Sequence, residues 1–217
     1  MEQSNTSRPK LIHWFQKNYI FIFITILFIY LVGAFMAPVF MHLGYDRISN
    51  LIYKAYSPLC HQFAHRSWFL FGDQRYYPLN SKNSTIRRTL IDTFGINASE
   101  LSNSRKIIGD QEAGYKVAIC QRDVMIYFSL MSFSIVYLFF KNRIRKIPFI
   151  FWIIFAILPM AIDGTWQLLS TLRILNLPNH ESNPLIRSLT GGLFGFFSGW
   201  YLLPTVMDSF KDVNQEK

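Results

Sequence analysis

Four apolar stretches of this chain approach the roughly 20 residues that an α-helix needs to cross about 30 Å of hydrocarbon. They run from Tyr19 to Met41, from Val124 to Phe140, from Ile147 to Ser170 and from Ser188 to Met207, and only the third carries a charge, Asp163. Water is absent at that depth and each backbone donor has to bond within its own segment, so all four are predicted to be helices. Composition agrees: 51% of the 217 residues are hydrophobic and 17% aromatic, with 21 phenylalanines. The first stretch is longer than the apolar core of a signal peptide, about 7 to 15 residues, and no small-residue cleavage site follows it, so it is expected to stay attached as an anchor. The expected fold class is an all-α membrane protein of about four transmembrane helices, with a long extracytoplasmic loop between the first two.

In a soluble chain a net charge of +9 would point to nucleic acid. Here the cations have a simpler use. Arg8, Lys10 and Lys17 precede the first span, and Lys141, Arg143, Arg145 and Lys146 fill the turn between the second and third. The third connection holds only Arg173 and Arg187, and the tail holds Lys211 and Lys217. By the positive-inside rule both termini and the 141–146 turn are cytoplasmic, in what is expected to be a bacterial plasma membrane. No basic run interleaved with exposed aromatics suggests a nucleic-acid groove. The expected layout is a cytoplasmic segment 1–18, a span 19–41, an outer loop 42–123, a three-helix membrane domain 124–207 and a cytoplasmic tail 208–217.

Within the outer loop, Asp46 to Tyr56 sets Ile48, Leu51, Ile52 and Tyr56 at helical spacing, as a helix lying on the membrane surface would. Ser57 and Pro58 then read as the cap and first position of a short helix over Cys60 to Arg66. From 73 to 114 the chain turns polar, with one brief helical pattern at Ile86, Leu90 and Phe94, and reads as an exposed insertion. Triplets at Asn83 and Asn97 match the glycosylation pattern, which recurs often by chance. In the last span Gly191, Gly195 and Gly199 recur every fourth residue and make a flat track for close helix packing, a candidate interface between copies of the chain. Arg187 lies one turn earlier on the same track.

Four passes fix which polar residues share a side. Cys60, His61, Arg66, Cys120, Arg122 and Asp123 lie in the first loop or at its edge, span three ends on that side, and Arg187 starts span four there. Asp163 then sits about 10 Å below that surface. Asp163 and Gln167 share one helix face, as do Asp123 and Tyr127. A carboxylate at such depth faces the bundle interior or a water-filled cavity, so Asp163 is expected to face Arg122 or Arg187. Two readings follow: a structural ion pair that holds helices in register, and a ligand or ion site at the base of an outward-opening pocket.

Cys60 and Cys120 also leave alternatives open. In an oxidising compartment they form a natural disulfide that pins the ends of the insertion. Otherwise Cys60, Cys120 and His61 or His65 are candidates to hold zinc or copper, the two histidines being four apart, although nothing in the chain requires a cofactor. A redox-active thiol pair is the third reading, without any C-x-x-C. His13, His42 and His180 stand apart from these groups. No G-x-S-x-G, H-E-x-x-H or phosphate loop occurs, so no catalytic residue is assigned and an enzymatic role is unsupported.

Taken in order, Cys60-His61-Gln62, Arg66-Ser67, Leu70-Phe71-Gly72, Cys120-Gln121-Arg122-Asp123 with Tyr127, Pro159, Asp163-Gly164-x-x-Gln167, and Arg187-x-x-Thr190-Gly191 with Gly195 resemble the family of predicted prokaryotic membrane proteins called domain of unknown function 2085. The resemblance covers about Ser57 to Pro204. It implies a residue pattern of Cys60, His61, Arg66, Cys120, Arg122, Asp123, Asp163, Gln167 and Arg187, and it implies no activity. His65 falls at a variable position of that pattern. This chain departs from short members in its long stretch between the cysteines. It also has Asp123 where many members are similar to C-x-R-C, which argues against a four-thiolate metal site.

The leading expectation is an outward-facing polar pocket of His61, Arg66, Arg122, Asp123, Asp163, Gln167 and Arg187 that binds, and in an oligomer transports, a small ion or polar ligand. The alternatives are a membrane redox or metal protein centred on Cys60, Cys120 and His61, and a structural or assembly factor.

Overall fold

The computed structural model describes residues 10–79, 88–95, 98–171 and 182–215. Asn83, Ile86, Asn97, Arg173 and His180, singled out above, lie outside these segments, as do Arg8 and Lys217. The long helices are α1 (Lys10–His42), α4 (Gln121–Phe140) and α7 (Pro184–Gln215). A further composite helix consists of α5 (Phe149–Trp152), a π turn (Ile153–Ile157) and α6 (Leu158–Thr171). Among the described residues, three helices are long and apolar enough to cross a membrane: Trp14–His42, Gln121–Phe140 and Phe149–Leu169. Their large side chains turn outward, Phe139 being 74% exposed with Phe21, Ile29, Phe128 and Ile162 also bare. That arrangement is costly in water and favourable in lipid.

The π turn has a local cause. Pro159 brings no N–H, and its ring crowds the carbonyl of Phe155 one turn back, so the helix widens just before it. Glycine explains the central seam. A Cβ on Gly191 would meet the Arg122 backbone, one on Gly195 the Ile126 carbonyl and Ser129, and one on Gly199 the side chains of Phe133 and Leu130. The glycine face of α7 is therefore filled by α4 of the same chain. This corrects the expectation of an interface between copies there, because the small residues let these two backbones approach.

The part between α1 and α4 corrects the all-α expectation. A three-stranded antiparallel sheet, ordered β1-β3-β2, is built from β1 (Ser67–Leu70), β2 (Gly109–Asp110) and β3 (Gly114–Cys120). The run Val117, Ala118, Ile119 is fully buried because α1 and α2 (Asp46–Tyr56) cover one side of β3 and its partner strands flank it. A short apolar run of this kind reads equally as helix or strand in sequence. The helix expected over Cys60 to Arg66 is also absent. Gln62 has φ 54°, the chain is extended at Phe63, and only a 3-10 turn at Ala64–Arg66 remains before β1. Nor is the 73–114 segment wholly exposed, since Tyr77, Leu90 and Ala113 bury themselves against Phe69 and Ala64. The expected pattern at Leu90 and Phe94 does form a helix, α3 (Leu90–Phe94), opened by a Thr89–Asp92 capping box.

The surface helix α2 turns back along α1. Ser49 Oγ donates to the Ala37 carbonyl at 2.8 Å, and about two turns further along α2 Tyr56 Oη donates to the Tyr30 carbonyl at 2.6 Å, equally far back along α1. α1 and α2 are thus an antiparallel hairpin, rather than one span with a helix laid flat at its end.

Candidate functional site

At the start of α4 two groups of polar side chains meet. β3 runs extended to Cys120, whose sulfur accepts the Asp123 N–H at 3.5 Å and so caps α4. The Cys120 N–H in turn donates to Cys60 Sγ at 3.3 Å. Cys60 is brought there by the turn after α2, its N–H bonded to the Tyr56 carbonyl at 3.0 Å, and by β1 pairing Ser67 with Cys120. The sulfurs of Cys60 and Cys120 and a carboxylate oxygen of Asp123 lie within 4.8 Å of one another, and both cysteines are free thiols. A side-chain hydrogen bond between the two thiols lowers Cys60 below its ordinary value, against burial. The same bond, together with burial, pushes Cys120 well up. Cys60 is the sulfur that ionises first.

Sequence reasoning missed Lys116. It is 1% exposed, and its Nζ donates to the Gln62 carbonyl at 2.8 Å and the Arg105 carbonyl at 2.6 Å. Burial lowers its pKa to about 7, while the charge of Cys60 opposes that shift. The one legible signal was a lysine inside the apolar run of β3.

The second group lies on the adjacent face of α4. Arg122 Nη2 donates to Asp163 Oδ2 in an ion pair. The same oxygen accepts Gln167 Nε2 at 3.2 Å and Ser182 Oγ at 3.4 Å, and Gln167 also donates to Ser182. Asp163 is 8% exposed and faces inward, as charge at that depth should. Arg187, 2% exposed, reaches across to the His65 carbonyl at 3.2 Å. It stands one turn before Gly191, whose missing Cβ lets the Arg122 backbone approach, so both arginines lie at the same end of the α4–α7 seam. Ser182 was not anticipated, since it falls in a loop with no motif.

The structure therefore divides the predicted site. Arg122, Asp163 and Gln167 join each other, and Asp123 instead joins Cys60 and Cys120. His61 is exposed and stacks on the Phe63 ring at 5.7 Å, outside the thiol group. The Arg66 guanidinium lies over that same Phe63 ring, also at 5.7 Å. His65 is buried with Nδ1 3.3 Å from Ser104 Oγ, so the two histidines do not share a helix face. A depression lined by Trp14, Asn18, Phe21, Ile22, Thr25 and Ile26 lies on α1, away from both groups.

Long apolar helices with outward-facing side chains, joined by a polar cluster at one end, define a helical membrane protein. Residues 111–201 match the family described as predicted membrane protein, DUF2085. The uncharacterized protein MJ1492 of Methanocaldococcus jannaschii is 30% identical over 195 residues, spanning 87% of this chain and 92% of that protein. The chain belongs to this family of predicted membrane proteins. No solved structure matches it.

Proposed function

We propose that the chain is a four-span membrane protein of the plasma membrane whose outer end binds a small anion or anionic polar ligand, with Arg122 and Arg187 as donors and Asp163 as their counter-ion. α7 supplies the fourth span; it is long enough, and its glycines, Ser188, Ser198 and Arg187 dilute its hydropathy. The cationic turn 141–146 supports cytoplasmic termini. Impermeant maleimide added to intact cells should then label Asp110→Cys in the outer sheet and spare Lys141→Cys; the reverse pattern inverts the topology.

One observation carries the ligand reading. The Arg122 Nε–H is buried and finds no acceptor among the described residues. A buried donor left unmade is costly, and an anion would satisfy it. Charge points the same way, since Arg122 and the buried Arg187 bring two cations to one buried carboxylate, Asp163. The test is thermal unfolding of the purified chain in nanodiscs, titrated with chloride, phosphate and acetate at constant ionic strength. A saturable, anion-selective rise in Tm that disappears in Arg122→Gln and in Arg187→Gln is expected.

A second reading has its own support. Asp163 Oδ2 already takes Arg122, Gln167 and Ser182, as a structural lock between helices would. A Tm independent of every anion, with a simple drop in Asp163→Asn, selects the lock and with it an assembly or structural role.

A further inference from the structure

We infer that Cys60, Cys120 and Asp123 form a metal site for a thiophilic divalent cation of the zinc class, separate from the anion site proposed above. Three donors of the right kind already converge, all within 4.8 Å. Tetrahedral zinc with bonds of about 2.3 Å to sulfur needs sulfur atoms about 3.8 Å apart, a spacing that lies within that limit.

Thiolate ligands need donors to their remaining lone pairs, and both sulfurs have them: the Cys120 N–H for Cys60 and the Asp123 N–H for Cys120. Those two N–H groups belong to the junction of β3 with α4, a helix of 20 residues whose positive end favours negatively charged ligands. The geometry thus offers a backbone donor to each sulfur.

Charge selects the ion. Two thiolates and a carboxylate bring three negative charges; a divalent ion leaves one. A monovalent soft ion such as Cu(I) leaves a larger buried negative charge. Calcium and magnesium prefer all-oxygen sets, so the sulfurs exclude them. Three protein ligands, with Cys120 and Asp123 only part-buried, leave the fourth position to water or to a further ligand. His61, the third ligand expected from sequence, is replaced by Asp123, because the strand-to-helix junction aims Asp123 at the sulfurs while His61 stacks outside on Phe63.

The test uses the full chain in nanodiscs, reduced and stripped of metal, titrated with Co2+ as a spectroscopic probe and then with Zn2+. Expected are one Co2+ per chain with thiolate-to-metal charge-transfer absorption, its displacement by Zn2+, and loss of that absorption in Cys60→Ser and Cys120→Ser. Asp123→Asn keeps both sulfurs and the fold, and should weaken Zn2+ binding more than about tenfold. His61→Ala should bind as the parent does. A reduced, folded parent that gives no charge-transfer band overturns the site. So does a native disulfide that persists in protein taken from cells and leaves no metal on the chain. Unchanged affinity in Asp123→Asn overturns the three-donor assignment.

Discussion

Arg122 and Asp123 are neighbours at the start of one helix, yet they serve regions of opposite character. Successive residues of an α-helix point about 100° apart, so one reaches across the bundle to α6 and the other back toward the sheet junction. On the Arg122 side a carboxylate is matched by a guanidinium, an amide and a hydroxyl. On the Asp123 side two sulfurs and a carboxylate face one another, three electron-rich groups that repel once ionised. A matched group resists disturbance; a group of like-charged donors calls for a counter-ion. The same few residues of chain thus hold one group of paired opposite charges and one of like donors.

The contrast between the two sides is tested most severely at Arg122. Arg122→Met strands a buried carboxylate and should cost about 3 to 5 kcal/mol, read as a large fall in thermal stability in nanodiscs. Adding Asp163→Leu to that variant should recover most of the loss, since both charges are then gone; no recovery would mean that the carboxylate has other essential work. Asp123→Asn, one residue on, should cost metal-free protein only about 0.3 to 1 kcal/mol, the worth of a negative charge in a first helical turn. A fall as large as that of Arg122→Met would erase the contrast between the two sides.

Lys116 sharpens it through pH. Its pKa in the folded chain is about 7, below the ordinary lysine value of 10.5, so between these values the unfolded chain holds a proton that the native chain lacks. Stability of the metal-free protein relative to Lys116→Met should therefore rise from about pH 7 toward 10.5 and be flat below 7. A difference that falls with pH over that window reverses the assignment. The smallest effect is expected at His61, where Ala should change stability by no more than about 0.5 kcal/mol because the side chain is exposed.

The membrane helices were legible because a run of large apolar residues has few alternatives to spanning lipid. Asp163 was legible for the complementary reason: a charge inside such a run needs a partner, and Arg122 lay at the right depth. The direction of Asp123 was not, since adjacency in sequence says nothing of which face meets which neighbour until the strand before it is placed. That strand was hidden too, its few apolar residues fitting either period. Gly191, Gly195 and Gly199 announced close packing correctly, and spacing alone does not distinguish a partner in the same chain from one in another.

The wide turn before Pro159 carries a consequence for chain length. It holds an extra residue within its turn, and each residue rotates the rest of the helix by about 100°. Removing one residue from 153–157 would let that turn close to an ordinary α turn with Asp163 and Gln167 still facing Arg122, whereas removing one from 160–162, beyond the wide turn, would swing both away from Arg122 and toward lipid. A deletion within 153–157 should thus be borne, and one between the wide turn and Asp163 should be as damaging as losing the aspartate itself, so the tolerance of this stretch to a change of length is set by its phase.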